Sequence, residues 1–370
     1  MKFTCRQENL ERGLNQVYKA VPNKANLPIL SNVHLLARDG RLRLSATNLA
    51  TSITTHIGVS IEEEGAITVP AKIFRDLVSN LPKGVITFVL KKGILHVHTE
   101  DNKAELNTVS AEEYPEIPAM GNDGEVLEIE SAMFADAVKS VVFAAATDTT
   151  RPIFSGVYLS FVDGLLNVVP SDGFRLSEKV LTLDVPFSKT FSVVIPAKTL
   201  LEVARMIVSE APTRITLDDR ANLVLFSNQD TVIATRIING PLLVINTIYH
   251  KKHVLEAEIS HEDLLEAVRL ADVFAQEADS SVKVHFDPEG VISVSSSSPE
   301  SGKQTSSFKA AVDGDEMDIS LNAKYILDFL TNAGTDKILF CTQDAMSPCV
   351  FRPFDTQDFL HIIMPRQSSD

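Results

Sequence analysis

Val69-Pro70-Ala71-Lys72 returns as Ile195-Pro196-Ala197-Lys198 and again as Leu321-Asn322-Ala323-Lys324, each copy 126 positions after the last. A supersecondary unit repeated at a fixed interval constrains a fold more firmly than local propensity does, because every copy must bury the same apolar face. The copies stay in step beyond these four positions. Phe74, Leu200 and Ile326 correspond, as do Leu77, Val203 and Phe329, and the acidic residues Asp76, Glu202 and Asp328. Apolar residues three, four and seven apart line one face of a helix, and proline in two copies suits a helix start. Lysine and acid four apart fall on the opposite face, where the plain reading is a solvated surface with a weak intrahelical pair.

Leu10, Leu14, Val17 and Val21 mark a second helix, matched by Phe134, Val138, Val141 and Ala145 and by Leu264, Val268, Ala271 and Ala275. Ser131 and Ser260 are the expected N-caps of two of these, and Asp263 completes a capping box with Ser260. Between the helices, alternating stretches such as Gly40 to Ser45, Ile94 to His98 and Val282 to Phe286 predict half-buried strands. Arg38-Asp39-Gly40, Val162-Asp163-Gly164 and Asp287-Pro288-Glu289-Gly290 are the turns that would pair them antiparallel. Leu27 to Leu35 also echoes Arg151 to Leu159. The fold class is therefore α+β, with three tandem domains of about 120 residues, each carrying two helices and two antiparallel sheets. Their expected limits are 1–121, 126–250 and 255–370, with junctions near Met120 to Glu125 and Tyr249 to Leu255. The run Ser295 to Ser298, with Pro299, Glu300, Ser301 and Gly302 after it, reads as an exposed loop.

A 370-residue chain with 44% hydrophobic and 22% charged residues has the balance of an ordinary folded protein of two to four domains. No apolar run approaches the roughly 20 residues that span a bilayer, and charges fall where a signal peptide needs apolar residues, so the expected location is the cytoplasm, away from membranes. Cys5, Cys341 and Cys349 lack CxxC spacing and are expected to be reduced and structural. The net charge of −15 argues against gripping phosphates by bulk electrostatics.

Motifs for chemistry do not appear. There is no GxGxxG or Walker loop, no HExxH, no EF-hand and no GxSxG elbow, so no enzyme, cofactor or metal is expected. His96 and His98 share a strand face but have no identifiable acid or cysteine cluster nearby. Ser171-Asp172-Gly173 fits a tight turn better than a nucleophile. Tandem copies of one domain suit a scaffold or a ring closed by symmetry.

Met1-Lys2-Phe3-Thr4, Leu27-Pro28-Ile29-Leu30, Ser171-Asp172-Gly173-Phe174-Arg175-Leu176 and His361-Ile362-Ile363-Met364-Pro365 together resemble the bacterial DNA sliding clamps, the beta subunits of DNA polymerase III, over nearly the whole chain. The resemblance implies a homodimer closed head to tail into a six-domain ring, with helices lining the hole and sheets continuing from domain to domain. It implies a processivity factor that encircles double-stranded DNA and tethers the replicative DNA polymerase, the clamp loader, repair polymerases and other groove-binding proteins. Carried over, Lys24, Lys72 and Lys198 face the DNA, with Arg75, Arg151 and Lys324 added by the repeat. The partner-peptide groove maps to Phe154, Ser171, Gly173, Phe174, Arg175, Leu176, Leu243, Thr247, Ile248, Pro348, Ile362, Ile363, Met364, Pro365 and Arg366. In it Arg175 is expected to bond the partner. The subunit contact maps to Ala104 and Leu106 against Val273 and Phe274.

The chain departs from the family pattern at Gly240 to Thr247, where an aromatic-Pro-Asp stretch with arginines is usual, in the tail Arg366 to Asp370, and at Ala104, where a larger apolar residue is usual. Two other readings stand beside the clamp: a protein-interaction scaffold that ignores DNA, and an enzyme with an unrecognised cleft.

Overall fold

A computed structural model describes residues 1–119, 125–148, 150–185, 187, 189–206, 210–218, 221–240, 253–275, 280–298 and 302–367. Its α-helices are α1 Gln7–Val17, α2 Ala71–Asn80, α3 Ser131–Val141, α4 Ala197–Met206, α5 His261–Ala275 and α6 Ala323–Asn332. α2, α4 and α6 all begin at the repeated alanine, directly after strands Gly65–Pro70, Phe191–Pro196 and Met317–Asn322. Pro70 is thus the last residue of a strand and the N-cap of α2, not a residue of its first turn. Asn322 caps α6 by accepting the Lys324 N–H at 2.9 Å. Phe74, Leu200, Val203, Ile326 and Phe329 are buried as the spacing predicts, whereas Leu77 is only half-buried. Each buried side chain of this size contributes about 1.5–3 kcal/mol.

The lysine–acid pairs expected along these helices do not form. Asp76 takes Arg75 at 2.8 Å, Glu202 takes Lys19 at 2.7 Å and Arg205 at 3.0 Å, and Asp328 takes Arg175 at 2.6 Å. An arginine fork meets each carboxylate, and its preorganised donors lose less entropy than a flexible ammonium does. Lys72, Lys198 and Lys324 are consequently exposed, with no ion pair among the described residues.

In the other helix family Leu10, Leu14 and Val17, then Phe134, Val138 and Val141, then Leu264, Val268, Ala271 and Ala275 form the buried faces. Val21 and Ala145 fall after short 3-10 turns, Tyr18–Ala20 and Val142–Ala144, whereas α5 runs on to Ala275. Ser260 caps α5 by accepting the Asp263 N–H at 3.3 Å. Ser131 does not cap α3: its hydroxyl donates to Ala211 O at 2.6 Å and meets Thr213 Oγ1 at 2.8 Å. The backbone just before strand Thr213–Asp218 captures a hydroxyl that the sequence pattern assigns to the helix end.

Two compact units divide the chain, Met1–Phe134 with Glu202–Ile237 and Ala135–Leu201 with Ile238–Asp370. The first holds a five-stranded sheet, with Lys103–Asn107 at one edge, and a nine-stranded sheet. In the latter, Thr51–Gly58 of the first repeat pairs with Thr231–Arg236 of the second, in register from Thr51↔Thr235 to Thr55↔Thr231. The second unit repeats the device: Arg175–Thr182 pairs with Phe359–Ile363, Leu176 opposite Ile362, inside another nine-stranded sheet. A four-stranded sheet, with Gly302–Lys309 at an edge, completes it. Every described pairing is antiparallel, and the sheets continue across the repeat boundaries as the resemblance implies. Asp39-Gly40 and Asp163-Gly164 close their hairpins with φ of 50° and 72°, and 50° and 79°, the positive angles a two-residue turn demands.

The serine run is not a loop. Ser295 to Ser298 end strand Val291–Ser298, paired with Gly302–Lys309, and Ser296 buries its hydroxyl on Ala271 O at 2.6 Å. Alternation places Ser296 and Ser298 in line with buried Ile292 and Val294, so register overrides composition. The junction residues Met120 to Gly124 and Tyr249 to Lys252 lie outside the described residues. Cys5, Cys341 and Cys349 are free and buried, and burial pushes their thiols up to about 12, 11 and 12. No helix among the described residues is long and apolar enough to cross a membrane.

Phe340 stacks on Phe286 at 4.7 Å and meets Phe351 edge-on at 5.0 Å, joining both sheets of the second unit. Phe340→Ala is expected to cost about 3–5 kcal/mol and Phe340→Leu much less. Urea unfolding followed by circular dichroism measures the difference.

Candidate functional site

Ser171 to Arg175 form a tight turn held by their own side chains. Ser171 Oγ donates to Arg175 O at 2.8 Å and accepts the Gly173 N–H at 3.1 Å, while Asp172 Oδ1 accepts the N–H groups of Phe174 at 2.9 Å and Arg175 at 3.0 Å. The serine hydroxyl is engaged by backbone, as a turn residue's would be. Gly173 has φ +91°, and a Cβ there would stand 3.3 Å from Phe154 Cζ. A larger residue there would be strained at this φ and would push the Phe154 ring back by a few tenths of an ångström.

Beyond the turn, neighbours in a strand point to opposite faces, and this sorts the expected groove residues. Leu176 and Ile362 form a buried apolar stripe with Val169, Cys341 and Val350, against which Tyr158, Leu339 and Leu360 pack. Ile363 and Arg175 belong to the other face. Ile363 is core rather than groove wall. Arg175, 8% exposed, is spent internally: Nε donates to Asp172 Oδ2 at 3.1 Å, Nη1 to Asp328 Oδ2 at 2.6 Å and Nη2 to Phe143 O at 2.8 Å, with Tyr325 stacked 4.3 Å away. It positions the turn instead of reaching for a partner. Phe174 and Met364 are the exposed members, at 58% and 41%, and the Met364 N–H donates to Phe174 O at 2.9 Å. Cys349 pairs with Ile363, which sets half-buried Pro348 next in register to Met364. Pro365 and Arg366 are half-buried, with the Arg366 N–H on Ser320 O at 2.8 Å. Leu243, Thr247 and Ile248, with the altered stretch around them, lie outside the described residues.

Arg151 joins this cluster, although the sequence reading placed it against DNA. Its guanidinium lies 4.6 Å over Phe154 and 5.9 Å from Phe174, and donates to Asp172 O at 3.2 Å. Arg75 is likewise occupied, paired with Asp76 and stacked 3.8 Å over Tyr18. Of the six expected DNA-facing residues, Lys24, Lys72, Lys198 and Lys324 are exposed with no ion pair among the described residues. At the edges, Ala104 is half-buried and Leu106 buried on strand Lys103–Asn107, while on α5 Val273 is 65% exposed and Phe274 half-buried. An acid does stand beside the histidine pair: Glu105 Oε1 is 3.2 Å from His96 Nδ1, placed there by cross-strand register. Among the described residues no group of three or more His, Cys, Asp or Glu side chains could hold a metal ion.

Family models of the DNA polymerase III beta subunit match in succession, the N-terminal domain at 1–118, the central domain at 128–242 and the C-terminal domain at 247–367. The chain belongs to the DNA polymerase III beta subunit family. It is 27% identical to the beta sliding clamp of Bacillus subtilis and 27% identical to that of Synechococcus elongatus, each over 99% of both chains. The solved DNA polymerase sliding clamp from Bacillus subtilis superposes with a TM-score of 0.94 at 26% identity, over 100% of this chain and 99% of that one.

The residues that sequence reasoning missed are those that hold the family segment in shape. Asp328, Tyr325 and Phe143 fasten Arg175, and His361 lies between Ser177 and Phe329. Beforehand, Asp328 and Phe329 were visible only as helix-repeat positions and His361 only as a member of the family segment. His361 is fully buried, bonded through Nδ1 to Ser177 Oγ at 2.7 Å, and its pKa is driven down to about 3 by burial and then by the Arg175 charge. Burial and the Arg43 charge lower His34 in the first unit to about 4. Both rings stay neutral in the fold while the unfolded chain binds their protons below about pH 6.5, so stability is complete above that pH and falls as acid is added. His361 alone is expected to withdraw about 2 kcal/mol between pH 7 and pH 5. Urea midpoints at the two pH values should converge in His361→Gln relative to the parent protein.

Proposed function

We propose that this chain is a DNA sliding clamp: a ring-forming processivity factor that encircles duplex DNA, catalyses nothing, and tethers a replicative polymerase, a clamp loader and repair polymerases by a peptide groove. The end-to-end match of three successive beta subunit domains carries the reading. We assign those domains to 1–121, 126–250 and 255–370. The groove floor is Leu176 and Ile362, its exposed apolar rim Phe174 and Met364, with Phe154 beneath the turn. Its setting is the cytoplasm.

A chain of net charge −15 is ill suited to tight phosphate binding, but a closed ring needs none. Linkage holds the DNA, and a few screened cations keep it centred without stopping the slide. Lys72, Lys198 and Lys324 suit that role, since their acidic neighbours are consumed by other cations. Repetition of an unpaired lysine at the same helix position in all three copies favours DNA over the scaffold reading. The subunit contact joins the edge at Ala104 and Leu106 to Val273 and Phe274 of a second copy. Alanine at 104 offers less apolar area than a larger residue, so this dimer parts more readily than one with leucine there.

Loaded by a clamp loader onto nicked circular DNA, the protein is expected to remain on circles and to leave once they are linearised. Equal retention on both forms would mean ordinary binding, and none on circles, with a control clamp loaded, would favour the scaffold. Ala104→Leu is expected to lower the dimer dissociation constant about three- to tenfold in sedimentation on dilution, from about 25 cal/mol per Å² of added apolar contact. An unchanged constant would remove Ala104 from the interface.

A further inference from the structure

In the first unit, two buried polar atoms without a hydrogen-bond partner among the described residues belong to neighbouring side chains, Nδ1 of His34 and Nε of Arg43. Buried donors are almost always matched, so an adjacent pair without partners points to a ligand. His34 lies opposite Ser45 and Arg43 opposite Leu36, which sets the two diagonally across strands Asn32–Arg38 and Arg41–Thr47 on one face of the sheet. The groups around them are spent elsewhere. Ser45 meets Thr54 at 3.0 Å, Thr68 donates to Val109 O at 3.2 Å, and His56, opposite Arg43, is held by Asp230 O at 3.3 Å. Arg41 and Arg38 have their own carboxylates, Asp230 at 3.2 Å and Asp39 at 3.5 Å, whereas Arg43 makes no ion pair among the described residues. Tyr114 stacks on His34 at 5.5 Å with its hydroxyl tied to Asn32 O, and half-buried Arg43 leaves the pair a way to solvent.

We propose that Arg43 and His34 form a binding site for a phosphate group, separate in its residues from the peptide groove and from the lysines assigned to DNA. A carboxylate offers two oxygens, both of which a guanidinium fork takes, and it would leave His34 unmatched. A phosphate group has three terminal oxygens, enough for the Arg43 fork and for one imidazole N–H. Burial, and then the Arg43 charge, hold the free His34 ring neutral with a pKa lowered to about 4, so it brings that N–H without adding a second buried charge. A net charge of −15 repels anions at a distance, so a phosphate is retained only where donors are arranged to meet it. Here the sheet register holds the two side chains together and the Tyr114 stack holds the imidazole in place.

The test titrates the full chain, its histidines labelled with carbon-13 at Cε1, with inorganic phosphate at constant ionic strength, chloride making up the balance. The His34 signal, identified as the one lost in His34→Gln, is expected to shift saturably. Arg43→Gln is expected to weaken the affinity about tenfold, the size of one hydrogen bond to a charged group, and Arg43→Lys to keep part of it. Arg41→Gln should leave it unchanged. Retention of Arg43→Gln on circular DNA should match the parent protein, which shows that the variant is folded and that the phosphate site stands apart from the clamp reading. A phosphoserine tripeptide and adenosine monophosphate distinguish the sources of the group: tighter binding of one than of inorganic phosphate assigns the site to a phosphorylated side chain or to a nucleotide. Absence of a saturable His34 shift, or the same affinity in Arg43→Gln, would overturn the inference. Acetate binding as tightly as phosphate would overturn phosphate as the ligand class.

Discussion

In each compact unit the strand that leaves a side-chain-locked turn pairs with the last strand of the following repeat, Thr51–Gly58 with Thr231–Arg236 and Arg175–Thr182 with Phe359–Ile363. A lone repeat would present that strand as an open edge, a row of unsatisfied N–H and C=O groups prone to promiscuous pairing. Joining successive repeats satisfies it and makes a nine-stranded sheet of two shorter ones. The compact units therefore do not coincide with the sequence repeats. The middle repeat serves both, because its strands bond outward to each neighbour.

That construction is carried out twice with the same backbone chemistry. Thr47 and Asn48 reproduce what Ser171 and Asp172 do: Thr47 Oγ1 donates to Thr51 O at 3.2 Å and accepts the Leu49 N–H at 3.0 Å, and Asn48 Oδ1 accepts the N–H groups of Ala50 and Thr51. Leu49 tolerates φ +71° where Gly173 sits at +91°. The closing bond recurs as well, from the Arg236 N–H to Ala50 O and from the Met364 N–H to Phe174 O, both 2.9 Å. The side chains then diverge. Where Leu176 faces Ile362, Ser52 faces Ala234, and Ser45 meets Thr54 by hydroxyls at 3.0 Å. Hydroxyls hydrogen-bonded to one another replace apolar surface there, so of the two equivalent frames it is the second that carries the apolar stripe of Leu176 and Ile362.

Behind that stripe the polar interior is arranged around the buried cation of Arg175. Burying Arg175 is costly unless its donors are matched, and Asp172, Asp328 and Phe143 O supply the match. The same cation adds to the burial that keeps His361 neutral and ties the turn to α6. An exposed rim thus stands on a buried base, while Lys72, Lys198 and Lys324 make no ion pair among the described residues because other cations have taken the acids one turn along.

The helix repeat, the hairpin turns, the antiparallel strands and the family were all legible in the residues, because the periodic burial of Phe74, Leu200 and Ile326 and the Asp-Gly turns are local constraints that recur. What tertiary structure alone decided was which partner each polar side chain found. Ser131 looked like a cap and bonds a distant strand, the serine run looked like a loop and pairs as a strand, Arg151 stacks on Phe154, and Arg175 is spent on Asp172, Asp328 and Phe143 O. A side chain's apolar periodicity is written in its neighbours along the chain. Its hydrogen-bond partner is set by whichever group the fold brings within about 3 Å, and for these residues that group lies tens of positions away or on another repeat.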